Sequence, residues 1–89
     1  MAIAFDRLTD LDSARRAVDA ALPPGSSIAA VEAAMQQSGA EVYHQEGGLI
    51  CLWQAPVAHM MLRKWILSFG FDSAGRLTGY SVNQGLVAP

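Results

Sequence analysis

Eighty-nine residues make a single domain (residues 1–89), and a composition that is 52% hydrophobic excludes a disordered chain while leaving enough apolar side chains for one core. The formal charge of -2, with Lys64 the only lysine, supplies no basic stripe to neutralise phosphates, which argues against nucleic acid as a partner. One cysteine, Cys51, cannot staple the fold within the chain, and no apolar run approaches the roughly 20 residues of a transmembrane segment.

In chain order, Thr9 reads as the cap of a first helix, with Asp10 and Asp12 in its first turn, where carboxylates complement the helix dipole. Leu11, Ala14, Arg15, Val18 and Leu22 follow helical spacing, an apolar stripe interrupted at Arg15. Pro23-Pro24-Gly25 stops that helix in a tight corner. Ser27, in preference to Ser26, caps a second helix whose Ile28, Val31, Met35 and Ser38 share one face, and Gly39 is the expected left-handed residue at its end. Both helices are short and Ala-rich, too weak to persist alone, so they must dock on something.

From Glu41 the hydrophobic period changes to two. Glu41 to Gln45 reads as a strand, and Gly47-Gly48 as a two-residue turn into Leu49 to Gln54. Pro56 opens a loop that ends near His59. Met60 to Phe71 is the longest strand, and Arg76 to about Gln84 pairs back onto it through Asp72-Ser73-Ala74-Gly75, a type I turn with Gly75 left-handed. That turn sets Phe71 against Leu77, Phe69 against Gly79 and Leu67 against Ser81. The predicted fold is α+β, with two N-terminal helices packed on one face of a four-stranded antiparallel meander, the face that carries Phe69, Phe71 and Leu77.

Two short motifs resemble a known family. Gly25-Ser26-Ser27, three residues and Val31 match the helix start of the BamE (SmpA/OmlA) lipoproteins and the wider group built like the β-lactamase inhibitor protein. Phe71-Asp72 through Gly75-Arg76-Leu77 is similar to their closing hairpin, aromatic-Asp/Asn-x-x-Gly-x-Leu. The resemblance spans about Leu22 to Val82. Met35 falls where the family has leucine, Ser26 replaces its methionine, Gln36 to Ser38 add most of a turn, and no lipid-acceptor cysteine stands near the start. The resemblance implies a bacterial envelope domain that binds protein partners without catalysis. If an export signal and lipid anchor have been removed, the setting is the periplasm or the periplasmic face of the outer membrane; otherwise it is the cytoplasm, since no basic segment followed by an apolar stretch opens the chain.

Candidate chemistry is sparse. A Gly47-Gly48 turn would place His44 opposite Cys51, the thiolate-imidazole arrangement of a cysteine nucleophile. Cys51 lies inside Leu-Ile-Cys-Leu-Trp, however, and a reactive thiol needs an electropositive, partly open site, so it is expected in the core. His44, His59 and Cys51 lack metal-ligand spacing. Asp6, Asp10, Asp12 and Asp19 serve as caps and solvated face, and Gly47-Gly48 has no Lys-Ser/Thr and no helix after it to make a phosphate loop. Trp53 and Trp65 are expected in the core, and Arg63-Lys64 on an ordinary strand edge. No catalytic residue, metal or cofactor is therefore expected.

Leu49 to Trp53 is apolar at every position, whereas a strand covered on one face should alternate. With both helices on one side, the other side is expected to meet a protein partner or a second copy. The predicted outer patch comprises Leu62, Ile66, Tyr80 and Val82 around Lys64 and Thr78. A cytosolic immunity or inhibitor protein of the same fold, and a small-ligand carrier or enzyme with a helix-sheet pocket, are the alternatives.

Overall fold

A computed structural model describes residues 2–57 and 61–87, with the side chains of residues 2–54 and 64–85. A short 3-10 turn (Phe5–Arg7) leads into α1 (Leu11–Ala21) and α2 (Ile28–Gln37). The strands β1 (Glu41–Gln45), β2 (Gly48–Val57), β3 (Met61–Phe71) and β4 (Leu77–Val87) follow as one antiparallel sheet in the order β1-β2-β3-β4. The expected α+β architecture, helices first and meander second, is the one observed. No described helix is long and apolar enough to cross a membrane.

The caps explain where the helices start. Asp10, one residue later than expected, caps α1: its carboxylate accepts from the Ser13 amide (2.8 Å) while the Ser13 hydroxyl accepts from the Asp10 amide (3.1 Å), a reciprocal capping box. Ser27 caps α2 as expected, accepting from the Ala30 amide at 3.1 Å. Gly39 (φ +83°) and Gly75 (φ +76°) take the left-handed conformations their positions require.

The two family-like motifs touch. The Gly25 amide donates to the Leu77 carbonyl (2.9 Å), the Leu77 amide to Ser26 (2.7 Å), and the Ile28 amide to Gly75 (3.2 Å). The corner before α2 is thereby clipped to the start of β4, and the turn holds itself through the Asp72 carboxylate, which accepts from the Ala74 and Arg76 amides.

Between helices and sheet lie Val18, Val31, Met35, Leu49, Cys51, Trp65, Leu67 and Phe69, all essentially inaccessible. Both tryptophans belong to this side, Trp65 fully buried and Trp53 packed against the core with Phe5 stacked on it at 5.7 Å. Phe71 is half-buried against the same cluster. Ile3, Phe5 and Leu8 close the core from the N-terminus, where the Ile3 amide donates to the Ser38 hydroxyl at 2.7 Å.

Two registers differ from the sequence expectation. The β1–β2 turn is Glu46-Gly47, so Gln45 pairs with Gly48, His44 with Leu49 and Val42 with Cys51. In the second hairpin Phe71 does oppose Leu77, but a bulge at Thr78 then sets Gly70 against Gly79, Phe69 against Tyr80 and Leu67 against Val82. A one-residue shift turns a strand over. Tyr80 and Val82 therefore belong to the helix-covered side, Val82 buried and Tyr80 half-buried, and their predicted place on the outer face is corrected. Pro56 lies within β2 and does not open a loop, and His59 and Met60 lie outside the described residues.

Candidate functional site

Alternation along the strands separates the sheet into two chemically distinct faces. Leu49, Cys51, Leu67 and Phe69 point to the helices, which leaves Ile50 and Leu52 on the outer face. Tyr43 pairs with Ile50 and Leu52 with Ile66, and directly opposed residues share a face. Tyr43, Ile50, Leu52 and Ile66 thus make one apolar stripe across three strands. Tyr43 is 53% exposed and Ile66 37%; Ile50 and Leu52 are half-buried. The run Leu49 to Trp53 that fails to alternate in chemistry does alternate in burial from Leu49 to Leu52.

Polar groups of both signs border the stripe. Glu41 pairs with Leu52 on one flank, and its carboxylate accepts a hydrogen bond from the Tyr43 hydroxyl. That bond raises the Tyr43 pKa. Lys64, half-buried, stands two residues from Ile66 on the same face and pairs with Gln54. Ser68, Ser81 and Asn83 complete the border on β3 and β4.

Of the six residues predicted for the interaction patch, Lys64 and Ile66 stand together on this face. Thr78 is the inserted residue of the bulge and donates its hydroxyl to the Gly70 carbonyl (3.2 Å). Tyr80 and Val82 are across the sheet, and Leu62 pairs with Pro56 and Val87 with its side chain outside the described ones. Tyr43, Ile50 and Leu52 were missed as patch residues, although the unbroken apolar run Leu49 to Trp53 was the signal that pointed at two of them.

On the helix side, a cleft of ≈ 290 Å³ opens between the end of α1 and the start of β4, lined by Asp19, Leu22, Pro24, Leu77, Thr78, Gly79 and Tyr80. The Tyr80 hydroxyl is shared between the Asp19 carboxylate (2.6 Å) and the Arg15 carbonyl (3.1 Å). Burial and then the bond to Asp19 push the Tyr80 pKa up from 10.0 to about 12. A raised folded-state pKa means this contact stabilises the fold fully below pH 10 and is lost as pH rises through about 12. Alkaline melts should therefore show a falling melting temperature in that window for the wild type, with a shallower fall for Tyr80→Phe.

Cys51 and His44 do not form a pair. Cys51 is fully buried opposite Val42, and burial, then the Glu32 charge, raises its pKa from 9.0 to about 11, which keeps the thiol protonated. His44 is exposed and meets Glu32 instead, Nε2 to carboxylate at 3.2 Å. A thiol reagent should modify native Cys51 slowly and unfolded protein quickly; rapid native labelling would contradict its place in the core. Among the described residues, no three His, Cys, Asp or Glu side chains converge on one point. Comparison with protein-family models, curated proteins and solved structures finds no match.

Proposed function

We propose that this chain is a non-catalytic protein-binding domain whose outer sheet face, centred on Tyr43, Ile50, Leu52 and Ile66, meets a protein partner. One observation carries the reading: the core is closed by the helices and the N-terminal segment on one side of the sheet, yet an apolar stripe with polar borders stands on the other. Contiguous, partly exposed apolar surface of this kind marks interaction sites, and an aromatic at one end beside Glu41, with Lys64 at the other, supplies anchor and orientation. The setting we assign to it, the bacterial envelope, rests on the helix-start and hairpin motifs alone. The cleft beside Tyr80 favours a second reading, a small-ligand site, which a thermal-shift screen with metabolites addresses through any stabilisation lost in Tyr80→Phe.

The test is a photo-crosslinking amino acid at position 43, compared with one at Gln36 on the helix layer, in cells expressing the protein. The expected result is a discrete adduct with one protein from position 43 only. Equal adducts from both positions, or none from position 43, would remove the assignment.

A further inference from the structure

We propose that the β4 edge is a homodimerisation seam, pairing antiparallel with β4 of a second copy to form a continuous eight-stranded sheet. A sheet of order β1-β2-β3-β4 has two edges, and they are built differently. Natural edges are blunted by shortness, charge, proline, bulges or a covering segment, because unpaired backbone groups template association. β1 is five residues long, carries Glu41 and is followed by Glu46, and its exposed His44 is tied to Glu32 of α2. The start of β4 is also guarded, by the Gly25–Ile28 clip and by the bulge at Thr78.

Past Thr78 the guarding stops. Gly79 to Val87 runs nine residues in unbroken register with β3, without one charged residue or proline. Nine residues are about 30 Å of strand. The Phe71 amide donates to Gly47 beyond β2, so odd-numbered residues of β3 turn their backbone groups to β2 and even-numbered ones to β4. Gly79, Ser81, Asn83 and Gly85, opposite Gly70, Ser68, Ile66 and Lys64, are therefore bonded to β3. Tyr80, Val82 and Gln84 turn their amides and carbonyls to the open edge, where among the described residues neither the corner nor α1 supplies a partner.

The occupant follows from that edge. An antiparallel pairing centred on Asn83, the midpoint of the nine residues, sets Val82 of one copy against the copy's Gln84, both with outward backbone groups. The seam is self-complementary, as a two-fold interface must be. The axis of such a pair is perpendicular to the sheet, so both helix layers stay on one side. α1, packed over β4, brings exposed Asp12, Arg15, Arg16 and Asp19, whose charges cancel. Both outer faces then lie on one surface, which presents two copies of the Tyr43–Ile66 stripe. The seam itself does not depend on that stripe's role.

Light scattering across a concentration series tests the proposal. The wild type should reach the mass of a dimer. Asn83→Lys, which sets two ammonium groups against each other at the axis, and Gln84→Pro, which removes only an outward amide, should both stay monomeric with the wild-type circular dichroism. If Gln84→Pro does not fold, Asn83→Lys decides, since its change is confined to an exposed side chain. Asn83→Cys should link to its copy under mild oxidation, because opposed non-bonded pairs bring Cα atoms within disulfide range. A monomer at every concentration, a dimer that survives Asn83→Lys, or a dimer dissolved by Ile66→Asp instead would overturn it. Ile66→Asp that remains dimeric but loses the position-43 adduct separates the seam from the partner-binding face.

Discussion

Phe69→Ala should destabilise the domain by about 3–5 kcal/mol, the usual cost of deleting a fully buried aromatic ring. Phe69 is 1% exposed at the middle of the sheet, opposite Leu49 on β2 and Tyr80 on β4, with its ring centroid 6.0 Å from that of Tyr80. Neighbouring strands hold the backbone in place, so the vacated space cannot close cheaply. A domain of this size is stable by only roughly 5–13 kcal/mol, and the variant should unfold at distinctly lower denaturant with an unchanged m-value. A loss below about 1 kcal/mol would mean that the ring is not enclosed as described.

Gly48→Ala should also be costly, for a different reason. A Cβ at this position would stand 2.2 Å from the Phe69 carbonyl oxygen, and the obstacle is backbone, not a side chain that can swing aside. Relieving it means parting β2 from β3 at their first pair. Overpacking of this kind costs about 1–3 kcal/mol and sometimes more. Gly79 is the internal control, because a Cβ there meets nothing within 4 Å. Gly79→Ala should change stability by no more than about 0.5 kcal/mol. Equal effects at the two positions would show that strand conformation, and not the close approach, governs both.

These two sites mark where the sequence is legible and where it is not. The helix starts, the Gly39 stop, the bounds of β1 and the Asp72–Gly75 turn follow from local rules: side-chain caps, positive φ and period-two alternation. The bulge at Thr78 has no such local signature. It lies beside the clip between Gly25–Ile28 and Leu77, a contact between segments some fifty residues apart, and it decides which side of the sheet Tyr80 and Val82 occupy. Gly48 likewise reads as a turn residue until the nearness of Phe69 is known, and that reading moved the first hairpin and paired His44 with Cys51. Ile3, Phe5 and Leu8 escaped notice because an irregular segment has no period to read, although they close the core.

The candidate surface was half legible for the same reason. Ile66 and Lys64 alternate on β3 with the buried Trp65, Leu67 and Phe69, which puts them on the outer face. Tyr80 and Val82, two of their expected companions on β4, stand on the other face because of one inserted residue, Thr78. Tyr43, Ile50 and Leu52 replace them from β1 and β2, which moves the patch away from β4 toward the other edge of the sheet.

One face of the sheet serves the fold, and the other is the face we propose meets a partner. Adjacent residues on β3 separate the two roles, since Ile66 is on the outer face and Leu67 is fully buried. Thermal melts of Ile66→Asp and Leu67→Asp, each joined to the position-43 crosslink, form the measurement. Ile66→Asp should melt near the wild type and give no adduct, while Leu67→Asp should fail to fold. An Ile66→Asp protein that unfolds, or one that folds and still captures the same partner from position 43, would show that the outer face is not the binding surface.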